Sequence, residues 1–155
     1  MFNIFKKVNK NSLVSPANGR LIALENVKDD VFASGAMGKG FAIDITDNKI
    51  VSPFDGEVGA CFPTGHAVGI SNGDIEIIVH IGIDTVELKG EGFKPVIKVG
   101  DKVSKGQTLV EIDLDLIKAK GYDTTTIVVF PSGQDIEITK LNQDVNANEE
   151  VGSIK

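Results

Sequence analysis

Ile75-Glu76-Ile77-Ile78-Val79-His80-Ile81-Gly82-Ile83-Asp84-Thr85-Val86-Glu87-Leu88-Lys89-Gly90-Glu91-Gly92-Phe93 is the stretch around which the chain is organised. Side chains alternate between the two faces of a strand, so Ile75, Ile77, Val79, Ile81 and Ile83 form one apolar stripe and predict a core face. The intervening residues Glu76, Ile78, His80, Gly82 and Asp84 point the other way. His80 is therefore expected on the outer face of a rigid strand, where a partner can reach it.

The surroundings of this strand narrow the classes of function. The chain has 155 residues, enough for one domain with a real core. A net charge of −6, no Trp and a single Tyr argue against a nucleic-acid partner, which needs a positive surface and stacking platforms. Cys61 is the one cysteine, so neither an internal disulfide nor a multi-cysteine zinc site is possible. The first residues are too short an apolar run for a signal peptide, and no stretch approaches the ~20 apolar residues of a membrane span. A soluble cytoplasmic protein is expected, and an acidic, singly folded chain of this kind is expected to be a monomer. The opening Met1 and the charged end at Lys155 suggest that it stands alone.

Residues 1–11 read differently from the rest. If helical, Phe2, Phe5 and Val8 share a stripe while Lys6, Lys7 and Lys10 lie elsewhere. Such a segment is either a flexible tail, because isolated helices this short are marginal, or a weak contact with anionic lipid. Residues 12–155 read as a single all-β domain.

Two phrases in that domain repeat: Ser15-Pro16-Ala17-Asn18-Gly19-Arg20-Leu21 and Ser52-Pro53-Phe54-Asp55-Gly56-Glu57-Val58. Each joins Ser-Pro to a turn residue, a glycine and a strand, which suggests two related halves. Residues 26–40 look like loop, with Phe32, Ala36 and Met37 among glycines and aspartates. Residues 113–121 are the best short-helix candidate, with Asp113 as cap, Leu116 and Ile117 facing inward and Gly121 as stop. Many short β runs between turn residues predict an antiparallel β-sandwich or barrel-sandwich hybrid with short helical turns.

The chain has two histidines. His66 lies in Thr64-Gly65-His66-Ala67-Val68-Gly69-Ile70, and Ser71-Asn72-Gly73-Asp74 turns that run back into the His80 strand. A two-residue Asn72-Gly73 loop pairs Ser71 with Asp74 and puts the histidines on opposite faces. A three-residue Asn72-Gly73-Asp74 loop pairs Ser71 with Ile75 and sets His66 directly opposite His80. The three-residue loop is expected, because the other register drives His66 into the core. Two adjacent outward histidines are open to three readings: a chance surface pair, two metal ligands to which Asp84 adds a third, or a nucleophile with a stabilising neighbour. Thr64 is placed to orient the ring of His66 and set its tautomer.

The stretch Val79-His80-Ile81-Gly82-Ile83-Asp84-Thr85-Val86-Glu87-Leu88-Lys89-Gly90-Glu91-Gly92-Phe93 closely resembles the active-site signature of the glucose-family enzyme IIA of the bacterial phosphoenolpyruvate-dependent sugar phosphotransferase system. The resemblance runs from Ser15 to Ile154 and takes in both Ser-Pro turns, Thr64-Gly65-His66, the Gly100-Asp101 corner and Glu150-Val151-Gly152. It implies a phosphoryl carrier, with HPr as donor and a cysteine of the IIB domain of a sugar permease as acceptor. It further implies that His80 is phosphorylated, that His66 is its unmodified neighbour and that Thr64 holds His66. Val31, Phe32, Phe62, Ile78, Ile81 and Val86 then form an apolar docking rim, and Asp29 and Asp84 meet basic residues of the partners. Gly65 stands where an asparagine is common, Ile78 and Ile81 where phenylalanines are, and Ala36 and Met37 where β-branched residues are. Sugar specificity resides in the membrane component of such systems.

Phosphoryl transfer depends on positioning and charge stabilisation rather than on covalent help from the protein. A neutral His80 has one lone pair to attack with, provided its other ring nitrogen donates to a backbone carbonyl such as that of Gly82. No P-loop is present, and no cofactor is expected. Nor is an intrinsic metal expected, although His66 and His80 can ligate one when a partner supplies further ligands. Three rivals fit less well. A biotinyl or lipoyl carrier needs a lysine between hydrophobic residues, and Glu111-Ile112-Asp113-Leu114 stands in that place. A zinc hydrolase needs a third strong ligand, for which Asp84 alone offers itself. A docking protein without chemistry leaves the histidine pair idle. By alternation Ile81 belongs to the core, yet the resemblance sets it near the rim; a bend at Gly82 is expected to resolve this.

Overall fold

The computed structural model describes residues 11–155, so the amphipathic reading of residues 1–11 lies, except for Asn11, outside the described residues. The fold is built from antiparallel strands with a few short helical turns, as the pattern of brief β runs and turn residues predicts. One eight-stranded sheet runs in the order Asp144–Val145, Gly19–Ala23, Lys39–Ile45, Thr126–Phe130, Ile75–Ile81, Ala67–Asn72, Gly56–Cys61 and Lys102–Val103. Two three-stranded sheets accompany it: Ser12–Val14, Glu150–Ile154 and Ile136–Ile138 form one, and Lys49–Val51, Thr108–Ile112 and Phe93–Pro95 the other. Among the described residues no helix is long and apolar enough to cross a membrane.

The two Ser-Pro phrases bond to each other. Val14 N–H donates to the Pro53 carbonyl at 3.0 Å, and Val51 N–H donates to the Pro16 carbonyl at 2.8 Å. Each serine is buried and turns its hydroxyl onto a carbonyl two residues ahead, Ser15 to Ala17 at 2.7 Å and Ser52 to Phe54 at 2.6 Å. Each backbone also docks on a matching later corner: Ser15 N–H donates to Glu149 O and Ser52 N–H to Gln107 O, both at 2.8 Å. The relation is that of a local twofold, and the repeat in the sequence is its trace.

The core has two parts, because the central strands of the large sheet are covered on both faces. The larger part takes Ile77, Val79 and Ile81 from the histidine strand, Val128 and Phe130 from the adjacent strand, and Phe41 and Ile43 from the strand beyond it. On the opposite face Val27, Phe32, Ala42, Ile83, Ile127 and Val129 form a smaller cluster, with Ile22, Leu24 and Ile78 packed against it. This double cover makes Thr126–Phe130 buried at every position, as a central strand should be.

Two sequence expectations change at the ends of the histidine strand. The predicted stripe is broken at its last member: Ile77, Val79 and Ile81 face the large core, but Ile83 lies in the smaller cluster. The strand ends at Ile81, and Gly82 at φ 81° turns the chain so that alternation no longer applies. At the other end the loop has two residues, Gly73 and Asp74, with Asn72 paired to Ile75, not the three expected. Gly73 at φ 60° stands first in the turn, where a type II′ hairpin needs positive φ.

The remaining differences are local. Residues 26–40 contain a helix, Asp30–Ala33, started by the Asp29 carboxylate, which accepts from Val31 N–H at 3.0 Å and Phe32 N–H at 3.3 Å. The other predicted helix is present as Leu114–Ala119, capped by Asp113, but Leu114 and Ile117 rather than Leu116 are its buried residues.

Candidate active site

His80 sits on the outer face of its strand, opposite Ala67 on one side and Ile127 on the other. The Gly82 carbonyl lies 2.8 Å from its Nδ1. A carbonyl can only accept, so Nδ1 carries the proton, and in the neutral ring the lone pair is left on Nε2. The bend at Gly82 makes this contact possible. A Cβ there would fall 2.4 Å from the Thr85 methyl and 2.9 Å from the Asp123 carbonyl oxygen.

His66 reaches the pair by a route other than the expected register. Its partner across the hairpin is Ile81, whose N–H donates to the His66 carbonyl at 2.7 Å. The strand itself begins one residue later, at Ala67. Because His66 precedes the strand and follows Gly65 at φ 74°, strand alternation does not dictate where its ring points. The two rings meet edge to face with centroids 5.3 Å apart. His66 is only 4% exposed, yet its Nδ1 is satisfied by the Thr64 hydroxyl at 2.6 Å. If that hydroxyl donates, the His66 proton is on Nε2 and available to a third group.

Both rings are held toward the neutral form. Burial pushes His66 below the usual histidine value, and the charge of His80 pushes the same way. Burial also pushes His80 down, and this outweighs the Gly82 bond and the negative charges of Asp29 and Asp84, which favour its protonated form. Neutral imidazole is the nucleophilic form.

The residues expected at the rim separate into three groups. Val31, Phe62 and Val86 are about half exposed. Phe32 is 8% exposed and packs its ring 5.1 Å from that of His80, while Phe62 packs 5.2 Å from His66. Phe32 is therefore floor more than rim, and Ile78 is half-buried beside the smaller cluster. Ile81 is a correction: at 1% exposure it belongs to the large core and offers no surface to a partner. Asp29 is partly used as a helix cap, and Asp84 takes a left-handed conformation at φ 60° just before a short 3₁₀ turn, Thr85–Leu88. Sequence reasoning passed over Thr85, whose hydroxyl bonds the carbonyl of Ile81 four residues back, and Asp123, whose contact with the Gly82 bend depends on a distant part of the chain meeting it. Among the described residues no three His, Cys, Asp or Glu side chains converge as a metal site.

Fold and site together define an antiparallel β-sandwich protein with a paired-histidine centre on one sheet face. Residues 11–136 match the model of the phosphoenolpyruvate-dependent sugar phosphotransferase system EIIA 1 family. The glucose-specific EIIA component of Halalkalibacterium halodurans is 49% identical over 118 residues, which cover 76% of this chain and 68% of that protein. The glucose-specific EIICBA component of Streptococcus pneumoniae is 48% identical over 130 residues, 83% of this chain, and the chain spans only 18% of its length. Among solved structures, the glucose permease IIA from Mycoplasma capricolum matches with a TM-score of 0.83 at 34% identity, over 98% of both chains. This chain belongs to the EIIA 1 family of the sugar phosphotransferase system.

Proposed function

We propose that this chain is a phosphoryl carrier in sugar uptake, accepting a phosphoryl group from phospho-HPr on His80 and passing it to the cysteine of a IIB domain. The observation that carries the reading is the state of His80: Nδ1 is bonded to the Gly82 carbonyl, so the nucleophilic lone pair is on Nε2. On acceptance a bond forms from Nε2 to phosphorus as the bond from phosphorus to the donor breaks, and Nδ1 keeps its proton. On release the sulfur of the acceptor cysteine takes the phosphorus, and His80 returns to the neutral ring.

His66, held by Thr64, presents Nε2–H toward the place where phosphoryl oxygens lie in the transition state. Charge spread over those oxygens is what a preorganised donor stabilises. Val31, Phe62, Val86 and Ile78 form the apolar surface on which partners close, which keeps water from the N–P bond. Asp29 and Asp84 supply negative charge to that surface. An intrinsic metal has no part in this scheme; His66 and His80 are a pair of ligands to which a partner would have to add more.

Incubation with phosphoenolpyruvate, enzyme I and HPr, followed by mapping of acid-labile phosphate, tests the reading. His80→Gln should accept no phosphate. His66→Gln should accept it but pass it on slower by roughly 10²-fold or more, the usual loss for a missing transition-state donor. Acceptance by His80→Gln but not by His66→Gln would reverse the two roles.

A further inference from the structure

The carbonyl that orients His80 lies in a stretch of backbone held at each of its polar atoms. The Ile81–Gly82 peptide is pinned at both ends. Its carbonyl accepts from the Thr85 hydroxyl at 2.5 Å, and its N–H donates to the Thr125 carbonyl at 3.0 Å. In the next peptide the Gly82 carbonyl accepts from His80, while Ile83 N–H donates to the Asp123 carbonyl at 3.0 Å. The Asp123 carboxylate steadies that far side, accepting from Thr125 N–H at 2.8 Å and from the Thr125 hydroxyl at 2.7 Å.

Among the described residues, the Thr85 hydroxyl is, apart from His80 itself, the side-chain group seen to act directly on these two peptides. Thr85 is 0% exposed, so water does not replace its bond to Ile81. Its methyl occupies the space that Gly82 leaves open. A neutral imidazole can carry its proton on either nitrogen, and the hydrogen bond made by one nitrogen decides which. If the Gly82 carbonyl drifts, Nδ1 loses its acceptor and the proton can move to Nε2, which removes the attacking lone pair.

We propose that Thr85 is a positioning residue for His80: by pinning the Ile81 carbonyl it fixes the Gly82 carbonyl, and with it the Nδ1–H tautomer of the ring. Its value for phosphoryl transfer rests on His80 being the acceptor, but the tautomer can be read without any transfer. Thr85→Val keeps the shape and removes the hydroxyl, while Thr85→Ser keeps the hydroxyl. Nitrogen-15 NMR of the folded proteins at a pH where His80 is neutral reports the tautomer directly.

The wild-type protein should show His80 protonated on Nδ1, and T85V a raised Nε2–H fraction. Acceptance of phosphate from phospho-HPr by T85V should be roughly tenfold slower, as for other supporting residues around a reactive group. T85S should keep both properties near wild type. An unchanged tautomer in folded T85V overturns the proposal, and so does a T85S protein that behaves as T85V is expected to. Should T85V not fold, T85A against T85S gives the same contrast. Failure of the wild-type protein to accept phosphate would sink the carrier reading and leave the tautomer comparison to decide the role of Thr85.

Discussion

The two Ser-Pro turns are nearly the same object, and one of them leads into the histidine hairpin while the other does not. Their backbones exchange reciprocal hydrogen bonds, their serines fold back onto matching carbonyls, and each docks on an equivalent corner. The corners match even where residues differ. Asn148 at φ 70° takes the place of Gly106 at φ 84°, and Asn142 at φ 62° that of Gly100 at φ 95°, since Asn is among the few side chains that tolerate the left-handed region. After the Ser52 turn the chain adds Thr64, His66 and the His80 strand; after the Ser15 turn the corresponding strands carry no histidine. The contrast separates frame from chemistry. The frame is a duplicated pattern of turns that sets strand positions, and the site is a local addition to one half that needs its own backbone device at Gly82.

Three changes test that separation, and the largest effect is expected at the device. Gly82→Ala combines a positive φ with a Cβ 2.4 Å from the Thr85 methyl, so it should cost about 3 kcal/mol from strain and overpacking and sharply lower phosphate acceptance. Gly73→Ala, also at positive φ but with nothing within 4 Å of the added carbon, should cost about 1 kcal/mol and leave acceptance unchanged. Equal losses in denaturant midpoints would mean that the Gly82 site is not special.

The second test addresses the frame. Ser15→Ala and Ser52→Ala each remove a hydroxyl from a buried carbonyl, and each should cost about 1–3 kcal/mol. Similar shifts in the two midpoints, with normal acceptance in both proteins, are expected. A loss confined to one serine would break the equivalence of the halves.

The smallest effect is the pH dependence, and it belongs to the histidine half alone. Both histidines are held below the ordinary value by burial, so the unfolded chain binds more protons than the folded one as pH falls through ~6.5. The stabilisation is fully present above that pH and is lost as pH falls through the depressed folded values. Phosphate acceptance should persist below pH ~6.5 and decline as pH falls through the depressed value of His80. Denaturant midpoints between pH 7.5 and 5.5 should show this slope in the wild-type protein and a flatter one in the His66→Gln, His80→Gln double variant.

Much of this was legible because it is written in local periodicity. Alternation identified Ile77, Val79 and Ile81 as core and His80 as outward-facing, and the duplicated Ser-Pro phrase announced the related halves. Where residues leave a regular strand, alternation loses its hold. Ile83 follows Gly82 and crosses to the smaller cluster, and His66 precedes its strand, so it meets His80 despite a register one residue away from the expected one. The Asp30–Ala33 helix was read as loop because four residues are too few to show a helical period, although the Asp29 cap was there to be noticed.

The chain by itself determined the strands, the turns and the residue types able to do histidine chemistry, because those depend on neighbours a few positions away. Tertiary structure alone decided the rest. It brought Thr125 and Asp123 against the Gly82 bend, set the two imidazoles 5.3 Å apart and buried Ile81 out of reach of any partner. The Gly82 carbonyl that bonds His80 lies in backbone tied to Thr125 and Asp123, more than forty residues further along the chain, and no local pattern encodes such a distance.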